Sequence, residues 1–145
     1  PVDASPMAGH SFEATIGTID GVPVVVYPGR VHLYQGYSAA EVTSLVQHAH
    51  HLGCKDIIFA GATGAVSGNA KTGLGVITDQ INLTGTNPLA EWAGLRDVET
   101  PFVDMNDAFS PYLRTLARGV ADDLDIELNE GVFAGLLGPN FETPA

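Results

Sequence analysis

Cysteine and basic side chains are scarce in this sequence. The chain has a single cysteine, Cys54, among 145 residues, and one cysteine cannot form an internal disulfide. Its 6 lysines and arginines are outnumbered by 17 aspartates and glutamates, which gives a formal net charge of -11. A nucleic-acid groove needs a positive field, so this charge argues against one. A small anionic substrate is not excluded, because a single arginine acts locally, within a screening length of about 8 Å.

Long hydrophobic runs are also absent. No stretch approaches the roughly 20 apolar residues that a membrane span needs, and no signal peptide is visible. We therefore expect a cytoplasmic protein without a membrane or nucleic-acid partner. The chain starts with Pro1 and stops just after a motif-like loop, and these two features predict a chain that is incomplete at both ends.

The composition is that of a folded protein with tight loops. Hydrophobic residues make up 45% of the chain, and 17 glycines cluster beside apolar runs, a pattern that suits sharp turns between buried strands. A chain of 145 residues can bury one sizeable core, so we predict a single, partial domain over residues 1–145.

Hydrophobic periodicity and turn signals predict alternating strands and helices. Ser38 and Glu41 have the spacing of a capping box, and Asp20-Gly21 is a strong hairpin signal. The predicted elements are strands at 12–19 and 22–27, a helix from Ser38 to about His51, strands at 56–59 and 74–78, an irregular stretch at 83–104, a helix at 111–124 and a strand at 131–137. This order predicts an α/β fold with a mixed sheet flanked by helices.

Three loops follow predicted strands at the edge where α/β sheets usually bind ligands. The first carries Arg30 and His32, which can present a guanidinium and an imidazole to one anion. The pattern alone favours a different interpretation, an arginine paired with a surface acid beside a solvated histidine. The second loop, 61–65, either cradles an anion with backbone N–H groups or is a plain tight turn. The third carries Phe141 and Glu142. An aromatic ring beside a carboxylate suits the binding of a heterocyclic base, but the same pair can be a core phenylalanine beside a solvated glutamate.

The histidines at 48, 50 and 51 invite a metal interpretation. His48 and His51 lie three residues apart on the predicted helix and can share a face, whereas His50 points elsewhere. No carboxylate or cysteine completes an obvious set of ligands, so we predict no metal site.

Five motifs, in order and at matching spacings, make the chain resemble the trimeric purine nucleoside phosphorylases over nearly its whole length. They are the run Tyr27 to Ser38, which is similar to the family's phosphate loop; the loop Ala60 to Ala65; the segment Thr78 to Asn82 with Gly85, Asn87, Pro88 and Leu89; the residues Phe102, Met105, Asp107, Ala108 and Phe109; and Gly131 to Phe133 with the terminal Gly138 to Ala145.

The resemblance implies an enzyme that cleaves purine nucleosides with inorganic phosphate as co-substrate, without a cofactor, as a homotrimer. It assigns phosphate binding to Arg30, His32 and the backbone N–H of Ala62. The implied ribose contacts are Tyr34 and, from a neighbouring subunit, Phe102. Purine binding falls to Phe141 and Glu142, and the implied catalytic residues are His32 and Glu142.

The chain departs from the family pattern at several of these motifs. Gln35 stands where the family has a glutamate, Gly61 where it has an asparagine, Thr63 where it has an alanine and Gln80 where it has a histidine. Gln35 keeps the size of the glutamate and loses its charge, and Gly61 lacks a side-chain amide. The departures at Gln35 and Gly61 motivate one alternative, a non-catalytic nucleoside-binding or scaffolding relative. A second alternative is a methylthioadenosine phosphorylase, whose phosphate loop normally carries an arginine and a histidine in this spacing without the continuation from Tyr34 to Ser38 that is nearly complete here.

Overall fold

The computed structural model of the protein describes residues 13–66, 72–90, 102–141 and 143. The chain divides into two compact units, Pro1–Ile58 with Thr86–Leu95, and Phe59–Gly85 with Arg96–Ala145. The single-domain interpretation of residues 1–145 stays a prediction.

The described residues of the first unit include a β-hairpin and two short helices. Strands β1 (Thr15–Ile19) and β2 (Val22–Val26) pair antiparallel, from Thr15 opposite Val26 to Ile19 opposite Val22. Asp20 and Gly21 between them have φ of 49° and 82°. Two consecutive positive φ values are the requirement of the tight turn that matches strand twist, so the predicted hairpin is confirmed.

The predicted helix after Ser38 is present but divided. Helix α1 (Ala39–Val42) is followed by α2 (Ser44–His51). At the start, the Glu41 N–H donates to the Ser38 hydroxyl, and the Ser38 N–H and hydroxyl donate to the Glu41 carboxylate, so the capping box is confirmed. Thr43 separates the helices at ψ of 3°, and its hydroxyl donates to the Ala39 carbonyl at 2.8 Å. Such a bond to the preceding turn bends helices.

A strand–helix–strand crossover forms the second unit. Strands β3 (Leu74–Asn82) and β4 (Leu128–Gly135) pair parallel, and helix α3 (Pro111–Asp123) lies between them in the sequence, as parallel strands require. The register shifts between Ile77 and Asp79, and the Thr78 hydroxyl there donates to the Gly131 carbonyl of β4 at 3.2 Å. Ser110 caps α3 and Pro111 occupies its first turn.

The α/β fold with antiparallel and parallel strands is therefore confirmed, with corrections to individual elements. Residues 56–59, predicted as a buried strand, are exposed and belong to no strand, because an apolar run becomes a strand only where a partner ladder accepts its hydrogen bonds. Strand β3 runs on to Asn82, and β4 begins at Leu128 and ends at Gly135. Residues 88–90, inside the predicted irregular stretch, are helical.

Among the described residues, only small side chains on helices are tightly buried. They are Ala39 and Ala49 in the first unit and Ala121 in the second. Many large apolar side chains on the strands are exposed, such as Ile16, with 72% of its surface accessible. No helix in the described ranges is long and apolar enough to cross a bilayer.

Candidate active site

The segment between β2 and α1 contains three of the predicted site residues, Arg30, His32 and Tyr34. Its first residue, Tyr27, is half-buried, and its hydroxyl lies 2.7 Å from Nδ1 of His48 on α2. The two rings meet edge to face with centroids 5.8 Å apart. This contact attaches the start of the segment to α2. Arg30, three residues after Tyr27, has an exposed side chain.

His32, Tyr34 and Gln35 come together in the middle of this segment. The Gln35 side-chain oxygen accepts the backbone N–H of His32 at 2.7 Å and lies 3.2 Å from its Nδ1. The ring of Tyr34 stacks on the imidazole, with centroids 4.9 Å apart and planes 21° from parallel. A one-turn 3₁₀ helix, Leu33–Gln35, creates these contacts, and Gly36 ends it at φ of 89°. The predicted phosphate and ribose ligands His32 and Tyr34 are therefore neighbours.

Ala62 lies in an exposed stretch of the second unit without helix or strand structure. Gly61 before it has open space where a Cβ would stand, so the backbone here can be approached closely. The Thr63 hydroxyl makes only a long contact, 3.5 Å, to the Gly64 carbonyl. Backbone N–H groups in such a loop can donate to an anion.

Two aromatic side chains of the second unit stand out from its surface. Phe102 is 89% exposed and Phe141 is 90% exposed. Phe141 follows β4 after a cis peptide bond between Gly138 and Pro139, and its carbonyl accepts the Asn140 side-chain N–H at 3.2 Å. Glu142, the predicted partner of the purine, lies outside the described residues.

The segment from Asp79 to Asn82, predicted to follow a strand, is part of β3. The Asp79 carboxylate accepts the Gln80 N–H at 2.7 Å. The Asn82 amide oxygen accepts the N–H and the hydroxyl of Thr84, at 3.0 and 2.7 Å. Gln80, one of the departures from the family pattern, therefore lies in the ladder, with its Cα opposite Phe133.

Several charged side chains away from these loops have structural partners. Hydrogen bonds from the backbone N–H and the hydroxyl of Ser38 lower the pKa of the Glu41 carboxyl. Arg118 on α3 makes a two-point ion pair with Glu130 on β4, with Nη2 2.8 Å from Oε2. Hydrogen bonding within this pair lowers the pKa of Glu130 and raises that of Arg118.

The histidines of α2 make contacts other than metal coordination. His48 bonds Tyr27, and Nδ1 of His51 lies 2.7 Å from the Gln47 carbonyl. Across the described parts of the chain, no group of three or more histidine, cysteine, aspartate or glutamate side chains is arranged to hold a metal ion.

Sequence reasoning missed two contacts of this site. The size and the charge of Gln35 do not indicate its contact with His32, although the separation of three residues is the spacing of a capping box. The contact between Tyr27 and His48 joins residues 21 positions apart, and no local pattern indicates it.

Comparison with known proteins agrees with the motifs. A family model, the phosphorylase superfamily, matches residues 2–145. Relatives include purine nucleoside phosphorylase 1 of Bacillus subtilis, 39% identical over 142 residues, which are 97% of this chain and 52% of the relative. The mouse purine nucleoside phosphorylase is 34% identical over 151 residues, covering 97% of this chain and 50% of the relative.

Solved structures give the same result. Schistosoma mansoni purine nucleoside phosphorylase in complex with inosine has a TM-score of 0.79 and 31% identity, over 94% of this chain and 50% of that one. Its isoform 2, with cytosine and ribose-1-phosphate, has a TM-score of 0.77 and 28% identity, again over 94% and 50%. The chain spans about half the length of these relatives. It belongs to the phosphorylase superfamily.

Proposed function

We propose that this chain forms part of a purine nucleoside phosphorylase, which uses inorganic phosphate to split purine ribonucleosides and deoxyribonucleosides into free base and pentose 1-phosphate. The observation that carries the proposal is the segment after β2, where the imidazole of His32 is held by Gln35 and stacked on Tyr34. Similarity to purine nucleoside phosphorylases supports the substrate class, since the related Schistosoma structures hold inosine, guanosine and adenosine.

The proposed roles follow the chemistry of each group. Arg30 and His32 bind phosphate, because a guanidinium fork and an imidazole match its oxygens, and the backbone N–H of Ala62 adds a donor. Tyr34 contacts the ribose. Phe141 stacks on the purine, and Glu142 bonds its polar edge.

The reaction breaks the bond between C1′ of the sugar and the purine nitrogen, and a phosphate oxygen forms the new bond to C1′. The electron pair of the broken bond leaves with the purine, which takes up a proton. Positive charge develops on the sugar in between, so groups that place the phosphate dianion beneath C1′ and stabilise the departing base lower the barrier. His32 and Glu142 are the residues we propose for these two tasks.

We also propose a cytoplasmic homotrimer in which Phe102 covers the sugar of the neighbouring subunit. Its 89% exposure supports this assignment, because a large apolar side chain displayed on a surface usually marks an interface. The lone Cys54 fits a reducing compartment.

The test is phosphorolysis by a chimaera in which this chain is joined to the part of the Bacillus subtilis relative that it does not cover. Free base released from inosine, guanosine and adenosine is measured by chromatography at varied phosphate, with 5′-methylthioadenosine as the rival substrate. Arg30→Ala removes at least one charge-assisted hydrogen bond, of roughly 1.5–3 kcal/mol, so we expect at least a tenfold higher phosphate KM or lower kcat.

Lys55→Ala is the matched control, because it removes an exposed positive charge outside the proposed site. It should leave phosphate kinetics unchanged. If Arg30→Ala folds and keeps wild-type phosphate kinetics, the assignment of Arg30 is wrong. A folded chimaera that binds nucleoside but releases no base would favour the non-catalytic alternative, which Gln35 and Gly61 motivate.

A further inference from the structure

The start of the segment that contains Arg30 and His32 is held by a contact from outside the segment. The Tyr27 hydroxyl lies 2.7 Å from Nδ1 of His48 on α2, and the two rings meet edge to face with centroids 5.8 Å apart. A phenol both donates and accepts, so this hydrogen bond forms with either tautomer of the imidazole. The residue after His48 is Ala49, which is only 4% exposed, so the part of α2 that contacts Tyr27 is itself packed into the first unit.

The residues after Tyr27 leave little freedom between this contact and Arg30. Positions 27–32 belong to no helix or strand, so no regular ladder of backbone hydrogen bonds fixes their course. Pro28 has a fixed φ and restricts the residue before it to extended backbone. Gly29, whose backbone adopts many conformations, is the one residue between Pro28 and Arg30. The direction in which Arg30 leaves the strand therefore depends on whether Tyr27 is held.

We propose that Tyr27 and His48 are positioning residues for phosphate binding, and that their contact keeps Arg30 ordered before the anion binds. This positioning role rests on the phosphate-binding role proposed above for Arg30, whereas the anchoring of the segment does not. A loop that is already ordered binds without losing conformational freedom, but a mobile loop must be ordered by the anion at a cost in affinity. Loss of the contact should therefore weaken phosphate binding and leave the chemical step unchanged.

Substitutions at the two positions can remove the hydrogen bond with little other change. Tyr27→Phe removes only the hydroxyl and keeps the aromatic ring against the imidazole. His48→Ala removes the imidazole, and alanine is the best helix former for a position within α2. His51→Ala is the matched control, because His51 lies on the same helix and its Nδ1 is 2.7 Å from the Gln47 carbonyl of that helix, not from the segment.

The first experiment measures backbone order in the 145-residue chain, without any anion. Order parameters of the Gly29 and Arg30 N–H groups are obtained from ¹⁵N relaxation. The N–H of Cys54 is the reference, since it donates to the Ala49 carbonyl at 3.0 Å in the same unit and reports loosening of the unit as a whole. In the wild type we expect values near about 0.85 at both positions, which are typical of a rigid backbone.

The variants should lower this order locally. Tyr27→Phe and His48→Ala should reduce the order parameter of Arg30, and Tyr27→Phe should leave that of Cys54 unchanged. His51→Ala should match the wild type at Arg30. An Arg30 value below about 0.6 in the wild type, which is typical of a flexible backbone, would overturn the anchoring. An unchanged value in Tyr27→Phe would overturn it as well.

The second experiment measures steady-state kinetics of the chimaera described above, with phosphate and inosine varied in turn. Tyr27→Phe and His48→Ala should each raise the phosphate KM roughly two- to tenfold, as expected for one hydrogen bond, and leave kcat and the inosine KM within about twofold. The double variant should be no worse than either single variant, because the two side chains act through one contact. Variants that only weaken folding would lower kcat and affect both substrates alike, and this result would overturn the positioning role.

Failure of the positioning role and failure of the proposed function give different results. If Arg30→Ala raises the phosphate KM but Tyr27→Phe does not, the positioning role is wrong and the phosphate role of Arg30 stands. If Arg30→Ala leaves the phosphate KM unchanged while Tyr27→Phe lowers the order parameter of Arg30, the phosphate role is refuted. The positioning role is then refuted with it, and only the anchoring of the segment by His48 remains.

Discussion

Replacing Phe102 with alanine removes an aromatic ring that is 89% exposed in this chain. If the ring covers the sugar of a neighbouring site, nearly all of its surface becomes buried in the assembled enzyme. Full burial of a phenylalanine side chain is worth roughly 1.5–3 kcal/mol. Multiplying this free energy by the exposed fraction of Phe102 gives about 1.3–2.7 kcal/mol. This free energy corresponds to about a tenfold to hundredfold loss of nucleoside affinity.

The loss of affinity should affect the nucleoside and not the phosphate. Phe102 is assigned to the sugar and not to the anion, so we expect the nucleoside KM of the active chimaera to rise while the phosphate KM stays within about twofold. Steady-state kinetics with each substrate varied in turn measures both. Tyr112→Ala is the control, because Tyr112 is 73% exposed on α3 and has no assigned role.

Two results would refute this reasoning. Equal losses for nucleoside and phosphate would mean that Phe102 acts on folding or assembly and not on the sugar. A monomer in sedimentation velocity with full activity would exclude a ring supplied by a neighbouring subunit.

Three further outcomes are expected. Gln35→Glu should keep or improve phosphorolysis in the chimaera, because the carboxylate has the same length and can accept the backbone N–H of His32 as the amide oxygen does; a collapse of kcat would contradict this. The 145-residue chain alone should release no base, because it spans about half of its relatives and leaves strand side chains such as Ile16 exposed; measurable turnover would show otherwise. Glu130→Gln should lower the urea midpoint at about pH 7, and this effect should diminish as the pH falls below the ordinary pKa of a glutamate, since the hydrogen bond from Arg118 lowers the folded-state pKa of Glu130 and the resulting stabilisation is lost as pH falls through that lowered value. Asp123→Asn, at the exposed end of α3, is its control.

Part of the candidate site was readable from the sequence because its contacts are local. His32, Tyr34 and Gln35 lie within four residues, and a single 3₁₀ turn brings them together. The positions of Phe102 and Phe141 came from motif resemblance, and only the structure shows that both rings are about nine-tenths exposed. The anchoring of Tyr27 by His48 was not predictable, because it requires the loop and α2 to be placed against each other.

The same division holds for the fold. The sequence by itself determined the hairpin and the helix starts, because the positive φ values at Asp20 and Gly21 and the caps at Ser38 and Ser110 depend on hydrogen bonds within a few residues. Only the tertiary structure decided that β3 continues to Asn82 and that residues 56–59 form no strand. A strand exists where another segment supplies its ladder, and for β3 that segment is β4, far along the chain. The local propensity of a segment does not indicate whether a partner strand is present in the fold.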